Sequence, residues 1–174
     1  ETGLIPIAII INSVVGEIVG SIGLPLYLDS VGTVLVAALA GPVAGMATGA
    51  LNNVVWGLLN PAALPFAAGA ALVGWLAGMF IHRFNAFRNI GTVIGFGIVL
   101  GIVGGMVAAP VAAYVYGGTA GVGTGALVSL FREMGGSLIA SVTTQAFISD
   151  PVDKVIVMLV AYATVKALPK RTVA

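Results

Sequence analysis

The 174 residues are 59% hydrophobic and only 7% charged, with a net charge of +1 and a mean hydropathy of +1.14. A soluble domain carries roughly one-quarter charged residues, so the composition points to a membrane protein, and the near-zero balance leaves no polybasic surface for nucleic acid. The absence of cysteine excludes disulfides, thiolate metal sites and cysteine nucleophiles.

A single domain over residues 1–174 has room for about five to seven spans, each needing about 20 residues. The first span is expected from Leu4 to Ile22, ended by Gly23-Leu24-Pro25. It has no basic stretch before it and carries Glu17, so it reads as a span and not as a signal peptide. The second is short, Val31 to Ala40, about 15 Å long as a helix and half the hydrocarbon core. Gly41-Pro42 then breaks the apolar text, and a third span runs from Val43 to Leu59. Its glycines at 41, 45 and 49 leave one smooth face for close helix contact. Asn60, Pro61 and Pro65 mark a loop, the fourth span covers Phe66 to Ile81, and the fifth runs from Ile90 to about Tyr114. Residues 117–149 are rich in Gly, Ser and Thr, with Arg132-Glu133 in the middle. They read as a structured outer loop with one or two short helices, either a lid or re-entrant. The last span is expected from Pro151 to about Leu168.

Orientation follows from the basic residues. Arg83 and Arg88, and Lys166, Lys170 and Arg171, belong in the cytoplasm. Six spans with both termini cytoplasmic satisfy this, whereas seven would put the C-terminal cluster outside. The fold class expected is therefore all-α, a polytopic bundle of six transmembrane helices with a short second helix.

The polar residues gather toward the outer ends of the spans. Glu17 lies within the first span, where an unpaired charge is costly. It reads either as a functional group or as half of a buried ion pair with Lys154 or Arg132. Asp29 serves either as a cap of the second helix or as a ligand contact. Asn52, Asn53, Trp56 and Asn60 crowd the tip of the third span, with Asn52 and Trp56 on one side. Trp56 reads as a pocket wall and Tyr27 as an interfacial anchor. Asp150, Pro151 and Asp153 match the N-cap, N1 and N3 positions of the last helix. Lys154 opposes the dipole of such a first turn, and suits either a local pairing with Asp150 or an anionic or carbonyl-bearing ligand. Arg132-Glu133 is either a solvated turn or the hinge of a lid. His82 reads as an interfacial residue, and Gln145 is too isolated to place.

Enzymatic chemistry finds no foothold. One histidine, no H-E-x-x-H, no phosphate-binding loop and no nucleophile elbow are present. No cofactor or metal site is expected. A ligand sensor would need an output domain, and a channel would repeat polar groups along the whole bilayer. The one-sided polarity favours a binding protein, with a self-sufficient carrier, channel or sensor as the alternative.

Six hydrophobic segments in this length, a short second helix and the Gly-Pro-x-x-Gly elbow resemble the S component of an energy-coupling-factor (ECF) transporter. LDSVGTVLVAALAGPVAGMATGALNN is similar to the second and third helices of vitamin-specific members, and SDPVDKVIVMLVAYATVKALPKR to their last helix. The resemblance implies a prokaryotic cell-membrane subunit that binds a vitamin or related micronutrient from outside. It also implies docking onto a transmembrane coupling protein driven by two ATPases, through small residues of the first helix. Ala8, Asn12, Gly16 and Gly20 form such a stripe, with Asn12 standing where the family usually has alanine. The expected substrate contacts are Glu17, Asp29, Asn52, Asn53, Trp56, Asn60, Arg132 and Lys154. An aromatic ring, amides and both charge signs suit a heteroaromatic compound such as a pyridoxine or thiamine relative.

Overall fold

A computed structural model describes residues 3–118 and 122–169, and all its regular elements are helical. Helix α1 covers Leu4–Ile22 and stops at Gly23, whose φ of 75° lies in the left-handed region that glycine enters without cost. Helix α2, Val31–Ala40, ends at Gly41 (φ 91°), and Pro42 opens α3, Pro42–Leu59, at a first-turn position where its missing N–H is harmless. The Asn60 side chain accepts from Ala62 N–H and starts a 3-10 turn over Pro61–Phe66 that leads into α4, Ala67–His82. Asn89 and Thr92 form a reciprocal capping box at the head of α5, Ile90–Tyr116. Helix α6, Val122–Glu133, is short, and α7, Leu138–Ala167, is the longest of the set.

The last helix departs from the sequence expectation. It begins at Leu138, not at Pro151, and Pro151 lies inside it. Asp150, Pro151 and Asp153 are therefore not cap, N1 and N3 residues, and Lys154 is not in a first turn. The segment 117–149 is accordingly not a loop with its own helices throughout. It splits into α6 and the first 12 residues of α7. A proline within a helix forfeits one backbone bond, and here the helix is supported by close contact with α5. A Cβ placed on Gly101 would lie 2.3 Å from the Cα of Pro151.

Glycine contacts set the helix directions. Along α3 and α4, Gly45 meets Gly74 and Gly49 meets Ala70, while Pro42 meets Gly78. Along α5 and α7, Gly97 meets Val155, Gly101 meets Pro151 and Gly105 meets Ala146. Numbers rise on one helix as they fall on the other, so each pair is antiparallel. The α1–α2 and α4–α5 pairs follow the same rule through Ala8 with Gly32, Gly16 with Asp29, Gly69 with Val107 and Gly104 with Val73. Such small-residue seams let backbones approach where lipid supplies no hydrophobic drive between helices.

Apolar packing concentrates at the end of the bundle where α2 meets α3. Val34, Ala37, Val73, Ala77, Val93, Leu100, Val157 and Met158 are buried in one cluster there, flanked by Phe80 and Phe96 with ring centroids 4.8 Å apart. His82 Nε2 lies 2.9 Å from the Ala37 carbonyl at the same end, linking α4 to α2. Among the described residues, three helical stretches are long and apolar enough to cross a membrane: Leu4–Ile22, Pro61–His82 and Ile90–Tyr116. Large hydrophobic side chains stand on the surface of α1, among them Ile7, Ile10, Val14 and Ile18, each more than half exposed. That surface fits a membrane protein, whose lipid-facing side chains need no burial inside the chain.

Candidate functional site

The opposite end of the bundle is hollow. A cavity of about 470 Å³ lies among α1, the 23–30 loop, the tip of α3, the start of α4, the second half of α5 and the middle of α7. The start of α6 borders it as well, pressed so closely to the loop that a Cβ on Gly123 would fall 2.2 Å from the Leu24 carbonyl oxygen. Asn52, Asn53 and Trp56 reach it from the C-terminal part of α3 and Asn60 from its C-cap, and Glu17 and Asp29 from α1 and the loop. Lys154 lines it from α7. Seven of the eight residues expected to contact substrate thus share one cavity. The eighth, Arg132, is exposed near the end of α6 and does not line it.

The ion pair expected for Glu17 is not formed. Glu17 is exposed at the cavity edge, and Lys154 instead pairs with its neighbour Asp153, Nζ to Oδ2 at 2.5 Å. Asp153 has no exposed surface at all. Its other oxygen, Oδ1, accepts from the backbone N–H groups of Tyr27 at 3.0 Å and Leu28 at 2.7 Å. One carboxylate therefore pins the 23–30 loop to α7 and neutralises the lysine. Leu28 holds a left-handed φ of 48°, uncommon for a bulky residue, and its N–H is one of the two so fixed.

Tyr27 is a cavity residue and not the interfacial anchor read from the sequence. Its hydroxyl lies 3.2 Å from Thr124 Oγ1 on α6. Burial pushes the phenol up to about 12, the bond to Thr124 acts against that rise, and the nearby Asp150, Asp29 and Asp153 carboxylates add to it. Burial likewise raises the Asp29 carboxyl above the ordinary carboxylate range, while the Lys154 ammonium draws it back. Asp150 is buried against the cavity and forms no ion pair among the described residues.

The first half of the stripe expected to meet a partner subunit turns inward. Ala8 is buried against Gly32 of α2, and Asn12 is fully enclosed. The Asn12 amide accepts from Gly32 N–H at 2.7 Å and donates to Thr33 Oγ1 at 2.9 Å, supplying α2 with the capping that Ser30 does not provide. Gly16 and Gly20 border the cavity. Packing within the chain thus occupies Ala8 and Asn12, whereas Gly20 is exposed with nothing within 4 Å of its Cβ position.

Several cavity residues were missed from the sequence: Tyr27, Ser30, Thr33, Thr124, Gln145 and Asp150. A signal for α7 was present. Ser141, Gln145, Ser149 and Asp153 recur every fourth residue, with Asp150 and Lys154 beside them, and all are buried. Reading helical periodicity back through Pro151 would have joined them into one polar face. Three buried polar atoms beside the cavity have no hydrogen-bond partner among the described residues: Ser30 Oγ, Asn52 Oδ1 and Gln145 Nε2. Unsatisfied buried groups are rare in native structures and ask for a physical reason. The chain matches no known family, no curated protein and no solved structure.

Proposed function

We propose that this chain is a six-span membrane subunit, formed by α1–α5 and α7, that captures a small vitamin-like micronutrient in the cavity. The observation that carries the reading is the cavity itself. Its volume of about 470 Å³ falls in the range of small-molecule sites, and its apolar walls carry a few convergent polar groups left without partners. The likeness of the α2–α3 and α7 stretches to ECF S components supports the same role, with transport driven by a transmembrane coupling protein and two ATPases. The docking surface then lies elsewhere than on Ala8 and Asn12, which the bundle already uses.

The sidedness of the reading rests on charge. Arg83 and Arg88 lie in the α4–α5 connection and Lys166 near the end of α7, at the end of the bundle away from the cavity. Lys170 and Arg171, expected to join them, fall outside the described residues. Basic residues at that end put it in the cytoplasm and open the cavity outward. A cysteine at Asn60 should then react with an impermeant thiol reagent on intact cells while one at Arg88 is shielded.

Native mass spectrometry of the purified chain tests capture directly, through a co-purified small molecule that Asn52→Leu and Trp56→Ala release. Sealed liposomes test the division of labour. The isolated chain should move no ligand, and ATP-independent uptake by it alone would establish the self-sufficient carrier instead.

A further inference from the structure

Four ionisable groups lie together at the cavity: Asp29, Asp150, Asp153 and Lys154. The three carboxylates face one ammonium. That ammonium is already committed, because Lys154 binds Asp153, whose second oxygen is taken by two backbone N–H groups. Asp29 and Asp150 line the cavity within the field of that ammonium but form no ion pair among the described residues, and Glu17 adds a further carboxylate at its edge. No other cationic side chain among the described residues reaches the space: Arg132 is outside it, and Arg83, Arg88 and Lys166 are at the other end. Both charge signs expected at the site are therefore present, but the lysine read as suiting an anionic or carbonyl-bearing ligand is engaged by Asp153. Carboxyl groups at the site outnumber the ammonium three to one.

A second observation is independent of the carboxylates and also points to a ligand. Asn52 and Gln145 are 94% and 96% buried, both line the cavity, and each leaves one amide atom without a partner. Such groups are costly unless something in the cavity completes them. Trp56, on the same face of α3 as Asn52, adds an aromatic surface of the kind that attracts cations.

We infer that the captured solute is an organic cation, a protonated amine, amidine or cationic heteroaromatic ring, seated between Asp29 and Asp150 with its polar edge on Asn52 and Gln145. This rests on the proposed capture function and adds the charge of the ligand to it. A bare metal ion does not suit the space. No three His, Cys, Asp or Glu side chains among the described residues are placed so that they could hold one metal ion, and the cavity is lined largely by alanine, valine, glycine and aromatic side chains.

Three probes of one size separate the possibilities: benzamidinium, benzamide and benzoate, respectively cationic, neutral and anionic. The full chain is used in detergent with Trp75→Phe, which leaves Trp56 as the sole indole, and binding is followed by its fluorescence and by calorimetry. Benzamidinium should bind tightest, by about tenfold or more over benzamide, the range of a hydrogen bond to a charged partner. Asp29→Asn and Asp150→Asn should each weaken benzamidinium binding more than benzamide binding and so remove most of that preference. A general loss of structure would weaken all three probes together, and if one variant does not yield monodisperse protein, the other and the wild-type ranking decide. Equal binding of all three, or preference for benzamide or benzoate, overturns the cation inference and leaves capture standing. No saturable response to any probe, together with no co-purified molecule, overturns capture itself.

Discussion

Asp153 is the residue on which both the loop and the lysine depend, and its replacement separates two contributions. Asp153→Asn keeps an oxygen for the Tyr27 and Leu28 N–H groups but removes the charge opposite Lys154. Breaking a buried pair from one side costs about 3–5 kcal/mol. The lower end applies here, because Asp29 and Asp150 also attract the ammonium. Asp153→Ala additionally frees two N–H groups from a charged acceptor, at about 1.5–3 kcal/mol each, and releases Leu28 from its left-handed conformation. The alanine variant should therefore lose roughly 6 kcal/mol, within the 5–15 kcal/mol that holds a typical domain together. For a chain of this length about 3 kcal/mol corresponds to a fall in Tm of roughly 6–12 °C. Thermal unfolding in detergent, read by intrinsic fluorescence, measures both. The asparagine variant should melt inside that window and the alanine variant well below it or not accumulate. Two variants with equal Tm, or an asparagine variant indistinguishable from wild type, would refute the role assigned to this carboxylate.

The α3–α4 seam makes a second prediction. A Cβ on Gly49 would sit 2.1 Å from the Ala70 carbonyl oxygen, a backbone atom that cannot rotate away, whereas Gly20 has nothing within 4 Å. Gly49→Ala should cost at least about 1–3 kcal/mol by overpacking, and Gly20→Ala should melt no lower than wild type; the reverse order would contradict the seam. Asn12→Leu should cost about 2–4 kcal/mol by leaving Gly32 N–H and Thr33 Oγ1 unpaired, and adding Thr33→Val should restore part of the Tm. Asp29 supplies a pH test. Its carboxyl is raised by burial, so the ligand-free fold binds a proton more tightly than the unfolded chain does, and stability falls as pH rises from the ordinary carboxylate range through the raised value. Asp29→Asn removes that loss and should raise the Tm at neutral pH more than at pH 4, whereas a pH-independent gain would show that burial of this charge is not the cause.

The legible parts of the chain were those punctuated by glycine and proline. The bounds of α1 and α2 coincide with the sequence expectation because Gly23 and Gly41-Pro42 end helices through backbone geometry, which needs no knowledge of neighbours. Tertiary support decided the rest. Asp150-Pro151-x-Asp153 has the local chemistry of a helix start, and only the fit of Pro151 against Gly101 on α5 shows that the helix runs through it. The same cause hid the assignment of charge. Lys154 four residues from Asp150 looks like a local pair, but the partner is the adjacent Asp153, and Asp153 is held in place by a loop more than a hundred residues away. Asn12 was legible as a polar residue in a small-residue stripe. Its direction, into α2, was not, since a stripe of small residues serves a helix of the same chain as readily as one from a partner.

The cavity has a simple origin in the length of α2. Seven of its ten residues are buried, so it stands in the middle of the bundle, yet its rise of about 15 Å is roughly half that of α1 beside it. The central column therefore ends at Ser30, and the space beyond it is filled only in part. Tyr27 and Leu28 fold over the gap, fastened by Asp153, while Gly123 and Thr124 of α6 close against the loop from the other side. Space remains, and it is walled by whatever the surrounding helices present at that height. Those helices change character there: α3 passes from glycine to Asn52, Asn53 and Trp56, and α7 brings Gln145, Asp150 and Lys154 to the same level. The polar residues are thus not scattered exceptions to an apolar composition. They occur where a truncated central helix leaves a cavity, and the close glycine seams of α3 with α4 and α5 with α7 run up to its wall at Ala70 and Ala146.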